Sequence, residues 1–218
     1  MKKRNMIRVL SALLCLCTLL LCSCGKNKFS IDEEGYFVDK NSGVTYDIAP
    51  FCYEAISVSE DVFAKQSKRE FFAITGADTS KLITDTFGII YFAKGTAMPT
   101  LKEMNVSYVA ITNDDVIVEQ VSDAEKINAL KELYENGTPC PYPGNAGLVP
   151  NVNIRLKFAD NELGLYYVLA YFEYAQDYVY EDDNGKKTNF GKKFLYNRAE
   201  GLCLAVEGLP AGVYGSNG

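Results

Sequence analysis

The chain has 218 residues, of which 48% are hydrophobic, and its 22 basic and 28 acidic residues give a formal net charge of −6. This composition supports a folded core and excludes wholesale disorder, and a net acidic chain is a poor partner for nucleic acid or anionic lipid. The chain has no histidine, which excludes Ser-His-Asp catalysis, Cys-His catalysis and histidine-ligated metal sites.

The chain begins with a basic segment followed by an apolar one. The first eight residues include four basic residues and no acidic one, and only Ser11 and Thr18 interrupt the apolar run over residues 9–21. This order is typical of a secretory signal peptide. A helix that spans a bilayer takes about 20 apolar residues, so this run is short for a permanent anchor. An uncleaved signal anchor is the alternative interpretation.

A short cysteine motif ends the apolar run, with the sequence Leu21-Cys22-Ser23-Cys24-Gly25. It resembles the lipobox of bacterial lipoprotein precursors, in which an aliphatic residue and two small residues precede an invariant cysteine. The resemblance covers only about the first 26 residues and includes the motif, its position and its flanking segments.

This resemblance implies a lipid anchor on the mature protein. Residues 1–23 would be the signal peptide, and Cys24 would receive a diacylglyceryl group and become the first residue. Two or three acyl chains would hold the protein durably, because each buried methylene contributes about 0.8 kcal/mol. Gly25 is not an acidic retention signal, and the outer face of a Gram-positive cell membrane is the favoured location. The expected partner of Cys24 is therefore the lipid bilayer.

The mature chain would be more acidic and contain fewer cysteines than the precursor. Four of the 22 basic residues and none of the 28 acidic ones precede Cys24, so the net charge from there onward is −10. Beyond Cys24, the remaining cysteines are Cys52, Cys140 and Cys203. They permit at most one internal disulfide and form no zinc-like cluster. Cys203 lies in an apolar segment typical of a core, whereas Cys140 is the better candidate for an exposed thiol.

The first part of the mature chain is predicted to be a tether over residues 24–34 and a β-rich half over residues 35–112. Aromatic and β-branched segments on either side of residues 39–43 predict a β-hairpin, with strands at 35–38 and 44–48. Further segments of this kind predict strands at 52–58, 70–75, 88–93 and 107–112. Short helical turns are predicted at 78–83 and 100–104.

The second half, over residues 113–209, contains the clearest helix signal. Ser122 and Glu125 have the spacing of a capping box, in which both side chains bind free backbone amides. Apolar residues then follow at helical spacing. The sequence predicts one well-defined helix over residues 123–135.

A proline- and glycine-rich loop over residues 138–150 is predicted after this helix, and a sheet follows it. Alternating or apolar segments predict strands at 154–158, 165–174, 178–180, 194–196 and 202–206. Residues 210–218 are predicted to be a flexible tail. The predicted fold class is α+β, mainly antiparallel sheet with one well-defined helix and short helical turns. Because strands do not alternate with long helices, a doubly wound α/β fold is not expected.

Tyrosines are the candidate interaction residues. In the predicted strand 165–174, Tyr167 and Tyr171 share one face, and a tyrosine-rich exposed face could bind a protein or a glycan. Packing across strands within the sheet is the favoured alternative. Tyr142 lies in the loop 138–150, and one hypothesis is that this loop forms part of the surface that a partner contacts. A plain connector between the helix and the sheet is the favoured interpretation.

The sequence contains no recognisable catalytic or metal-binding motif. Residues 181–185 resemble part of a calcium loop, but Tyr180 stands at a position where that loop needs an acidic or amide side chain. We therefore expect no cofactor and no metal. The favoured function is a non-catalytic binding or accessory module of the cell envelope, with an envelope protein or glycan as partner and no nucleic acid. The alternatives are an envelope hydrolase that uses carboxylates and an immunity or inhibitor lipoprotein.

Overall fold

The fold is dominated by antiparallel sheet, as seen in a computed structural model that describes residues 29–215. Strands hold 45% of the described residues and helical segments 9%. The predicted α+β class is therefore wrong, because the fold is β-rich with a single α-helix among these residues. One reason is the segment 78–83, where a single turn at residues 79–81 leads directly into a strand and no helix follows. The predicted signal peptide and Cys24 lie outside the described residues.

Seven strands form the smaller sheet, in the order β1-β2-β3-β8-β7-β6-β5. They are β1 (Phe29–Ile31), β2 (Phe37–Asp39), β3 (Thr45–Ile48), β5 (Val58–Gln66), β6 (Arg69–Ile74), β7 (Leu82–Asp85) and β8 (Ile90–Ala93). The predicted hairpin around residues 39–43 is confirmed, since Phe37 pairs with Tyr46. The sheet curls until β1 contacts β5, and the rings of Phe29 and Phe63 lie 6.3 Å apart across that contact.

Aromatic side chains fill the inside of this curled sheet. Phe71 is fully buried, and its ring centroid lies 4.8 Å from those of both Phe29 and Phe37. Such tilted and edge-on pairs each contribute about 0.5–1.5 kcal/mol beyond the area that they bury. Phe29 is thus a core residue, although it lies within the segment 24–34 that the sequence predicts to be a tether.

The larger sheet has the order β10-β9-β12-β13-β16-β17-β11, and β4 pairs separately with β13. Its strands are β4 (Tyr53–Ala55), β9 (Tyr108–Asn113), β10 (Val116–Val121), β11 (Thr138–Cys140), β12 (Val152–Asp160), β13 (Leu165–Glu173), β16 (Lys193–Asn197) and β17 (Leu202–Val206). A separate hairpin joins β14 (Val179–Glu181) and β15 (Lys187–Asn189).

The two sheets share one hydrophobic core. It combines Ile74 of the smaller sheet with Leu156 and Leu169 of the larger one. The last strand of the smaller sheet, β8, ends at Ala93, and β9 of the larger sheet begins at Tyr108, ahead of the predicted boundary at residue 112. Val213, in the predicted flexible tail 210–218, is fully buried in this core. The described part of that tail is therefore packed against the body.

The helix α1 (Ala124–Glu135) covers the inner face of the larger sheet and buries Ile127 and Leu130 there. The bounds of the helix agree with the predicted 123–135 to within one residue, but the predicted capping residue, Ser122, is wrong. The Asp123 side chain is the cap and accepts a hydrogen bond from the Lys126 amide at 3.0 Å. The Ser122 hydroxyl instead accepts a weak hydrogen bond from Gln120 at 3.5 Å.

We expect Asp123→Ala to lower the free energy of unfolding by about 0.5–2 kcal/mol, the usual cost of losing an N-cap. Ser122→Ala is the matched control and should leave stability nearly unchanged, because its hydroxyl caps no helix amide in the structure. Denaturant midpoints of the two variants measure the difference. A larger loss for Ser122→Ala than for Asp123→Ala would contradict the assignment of the cap.

Candidate functional site

The two faces of the larger sheet have different surroundings. The inner face carries Leu156 and Leu169, which pack in the shared core with α1. On the outer face, Arg155 lies opposite Ala170, and Ala170 lies opposite Tyr196 on the next strand. Directly paired residues point their side chains to the same side of a sheet. The outer face therefore presents a row of side chains that the core does not cover.

A groove opens on this outer face where β13 changes its neighbour. Residues 170–173 of β13 pair with β16, whereas residues 165–167 pair with β4. Between them the Val168 amide donates to the Cys52 carbonyl at 2.7 Å. At this change of partner, residues of β4, β13 and β16 line an open groove of about 790 Å³, which we call the sheet groove.

Aromatic rings form one wall of the sheet groove. The rings of Tyr142 and Tyr196 are stacked with centroids 4.7 Å apart and planes at 19°, and Phe172 lies 5.9 Å from Tyr142. A Cβ at Gly144 would collide with the Tyr142 ring, so the glycine lets that ring pack closely over the turn at Pro143–Ala146. Phe51 also lines the groove and is 71% exposed. The groove thus offers a preformed aromatic surface and one free ring.

The predicted loop 138–150 contributes this wall but is not wholly a loop. Its first three residues form β11, which pairs with β17 at the edge of the larger sheet. Beyond β11, Tyr142 and Leu148 pack on the outer face of that sheet with Phe172. The segment is therefore part of the sheet and of the groove wall.

An ion-paired cluster borders the groove beside β4. Glu54 forms salt bridges with Arg155 and with Lys157, whose Nζ lies 2.7 Å from its carboxylate. Burial raises the pKa of the Glu54 carboxyl, but the two cations outweigh burial and hold that pKa below its usual value. Glu54 is thus a charged structural partner rather than a proton donor.

Arg198 differs from Arg155 in having no ion pair or hydrogen bond with the described residues. It is exposed in the turn after β16 and lines the sheet groove. A guanidinium presents several donors in a planar fork that fits carboxylate and phosphate groups. Arg198 is therefore available to a ligand that carries an acid group.

The structure separates the predicted tyrosines. Tyr142 lies in the sheet groove, but Tyr167 and Tyr171 are buried, at 3% and 0% exposure. Tyr167 instead accepts a hydrogen bond from Asn197 at 2.7 Å. Tyr167 and Tyr171 therefore lie on the face of β13 that points into the core, and they do not form an exposed tyrosine face. Sequence reasoning missed Phe51, Tyr196 and Arg198, and no local pattern marks these residues.

The groove does not combine the groups that hydrolysis by paired carboxylates requires. Glu54 is the one acidic residue among those that line it, and that mechanism needs two carboxyl groups about 5–9.5 Å apart. Within residues 29–215, no three acidic or cysteine side chains are grouped to hold a metal ion. The arrangement suits binding by stacking and by ion pairing.

Comparison with known proteins gives no relative, since no family model, no curated protein and no solved structure matches the chain. Over the described residues, no helix has the length and apolar character needed to cross a membrane.

Proposed function

We propose that the protein is a membrane-tethered, extracytoplasmic binding module whose site is the sheet groove. Its ligand is an envelope protein or glycan that presents a flat ring or apolar surface next to an acid group. The observation that carries this proposal is the position of Arg198, free of an ion pair among the described residues, beside the stacked Tyr142 and Tyr196 rings in an open groove. Concave sites that combine aromatic walls with a few polar groups are typical of ligand binding.

The ring and the cation have separate roles in this proposal. Tyr142 and Tyr196 give a large rigid contact area at low cost in conformational entropy, because each has few rotatable bonds. Arg198 supplies selectivity for acidic ligands, because a ligand without an acid group could not form an ion pair with its guanidinium. The ion-paired Arg155 keeps Glu54 neutralised and so limits repulsion of an anionic ligand.

The anchor is proposed from the lipobox-like sequence at Cys24. We expect wild-type protein to carry acyl chains and to sediment with membranes, and Cys24→Ala to lose the acylation and leave the membrane fraction. Metabolic labelling with palmitate and membrane fractionation measure both effects. If the Cys24→Ala protein stays bound to membranes at the wild-type level, the lipid anchor is contradicted, and an uncleaved apolar helix is the anchor instead.

The groove is tested by capture of solubilised cell-envelope material on immobilised protein. We expect Arg198→Ala to weaken retention of the captured ligand about 10–100-fold, because hydrogen bonds to charged groups contribute about 1.5–3 kcal/mol. Tyr142→Ala should weaken it as well through loss of stacking. Lys40→Ala is the matched control, because it removes an exposed positive charge from a hairpin of the smaller sheet.

Thermal unfolding of each variant shows that it is folded before capture is compared. Equal retention by wild type, Arg198→Ala and Tyr142→Ala would exclude the sheet groove as the binding site. Capture of an envelope hydrolase that the protein inhibits would identify the ligand as an enzyme and the module as an inhibitor.

A further inference from the structure

We propose that Cys140 and Cys203 form a reversible disulfide between β11, an edge strand of the larger sheet, and its neighbour β17. The two cysteines are direct partners in the antiparallel pair of β11 and β17, and their Sγ atoms lie 3.7 Å apart. Both are free thiols in the structure. The inference does not depend on the ligand of the sheet groove.

The backbone geometry already suits this bond. Directly opposed residues in antiparallel strands have Cα atoms about 4.5–5.5 Å apart. Disulfides join cysteines whose Cα atoms lie about 4.4–6.8 Å apart. The sulfur atoms are nearly in contact, so rotation of the side chains suffices and the strands need not move. The third cysteine, Cys52, lies in the shared core, apart from the cluster that contains this pair.

The two thiols differ in the way that an exchange reaction requires. Cys140 is half-buried at the sheet edge, whereas Cys203 is 2% exposed. The hydrogen bond between the two thiols lowers the pKa of the Cys140 thiol. The Cys140 thiol and burial raise the pKa of Cys203. Because the thiolate is the nucleophile, Cys140 is the attacking residue and Cys203 the resolving one.

The oxidant is a disulfide, either of a small molecule or of a thiol–disulfide oxidoreductase. The Cys140 thiolate attacks one sulfur of that disulfide and expels the other as a thiolate, which leaves a mixed disulfide on Cys140. Cys203 then loses its proton and attacks the Cys140 sulfur, and the second sulfur of the oxidant leaves. The protein loses two electrons and two protons, and the oxidant becomes two thiols. An excess of dithiol reverses both steps.

This bond would fix one end of the groove wall. Tyr196 is the direct partner of Cys203 on the neighbouring strand, and Tyr142 follows Cys140 by two residues. The disulfide would therefore link the segment that carries Tyr142 to β17, the strand that pairs with the Tyr196 strand β16. It would also hold the three-residue edge strand β11 against β17, the strand that precedes the buried Val213.

The test uses the full chain purified from expressing cells and treated with glutathione disulfide or with dithiothreitol. We expect oxidation to protect Cys140 and Cys203 from alkylation, to leave Cys52 reactive after denaturation, and to yield one cross-linked peptide that joins positions 140 and 203. We also expect the unfolding temperature to rise by about 10 °C, since the bond closes a loop of some sixty residues. Dithiothreitol should reverse both changes.

Two single variants and one control separate this disulfide from other effects of oxidation. Cys140→Ser and Cys203→Ala should each abolish the rise in unfolding temperature, and Cys52→Ser should retain it. The peptide map of the wild-type chain gives an answer even for a variant that does not fold. Alkylation of both Cys140 and Cys203 after oxidation, or a cross-link through Cys52, would overturn the proposal.

Discussion

Alkaline pH should unfold the protein cooperatively between about pH 10 and 12, whereas stability should change little between about pH 6 and 8. The chain has no histidine to titrate in the neutral range. Burial raises the pKa of Tyr46 and of Tyr91 to about 12. Burial also raises the pKa of Tyr53, Tyr167 and Tyr171.

The sign of this effect follows from proton binding. In the unfolded chain tyrosine loses its proton near pH 10, while the buried tyrosines of the folded chain keep theirs. Between those two pKa values the folded state binds more protons, so the free energy of unfolding falls as the pH rises. The stabilising contribution is present in full below about pH 10 and is lost as the pH rises towards 12.

Circular dichroism and phenolate absorbance, recorded together during an alkaline titration, measure this transition. We expect a large group of tyrosines to ionise in the same pH interval in which the sheet signal disappears. Tyr180→Phe is the control and should not shift the transition, since Tyr180 is exposed. Ionisation of all tyrosines near pH 10 with the sheet signal intact would show that the tyrosine side chains are not buried as described.

Gly164→Ala should lower the free energy of unfolding by about 2–5 kcal/mol, because two separate costs add. Gly164 lies in the turn between β12 and β13 and has φ of +67°. Its missing Cβ faces the smaller sheet, where a methyl group would collide with the Thr75 carbonyl and come within 2.9 Å of Ile74. The turn is also held in place, because the Gly164 carbonyl accepts a hydrogen bond from the Ile56 amide at 2.9 Å. It therefore cannot move away easily to make room for the methyl group.

Gly185→Ala separates the two costs. Gly185 has a similar φ of +78°, but the nearest atom to a new Cβ would be a Glu181 oxygen at 3.9 Å. This control should therefore lose only about 1–2 kcal/mol, the cost of the left-handed backbone for an ordinary residue. Denaturant midpoints compare the two variants. Equal losses would mean that the contact between the β12–β13 turn and the smaller sheet does not contribute to stability.

Local signals were sufficient for some elements. The spacing of Ile127 and Leu130 predicted α1, and the turn residues around 39–43 predicted the first hairpin, since both depend on neighbours in the sequence. The cap moved from Ser122 to Asp123 because either residue type can bind the first free amides. β5 was missed because its pairing with β6 is irregular on either side of Val62, so its side chains do not alternate simply.

The candidate site could not be predicted from the sequence, because it is formed by contacts between residues that lie far apart along the chain. Alternation placed Tyr167 and Tyr171 correctly on one face of β13, but it could not show which face points to the core. The sheet groove arises because β13 changes its partner from β16 to β4, whose residues are more than a hundred positions apart. The juxtaposition of Cys140 and Cys203 likewise depends on the register between β11 and β17.

With the proposed lipid anchor on Cys24, the burial of Phe29 at the start of β1 would limit how far the protein extends from the membrane. Five peptide units separate Cys24 from Phe29, and a fully stretched chain advances at most about 3.6 Å per residue. An acylated Cys24 would therefore keep the first strand within about 18 Å of the lipid attachment point. The folded body would lie close to the lipid headgroups. Its binding partners would therefore be molecules at the membrane surface, not molecules farther out in the cell wall.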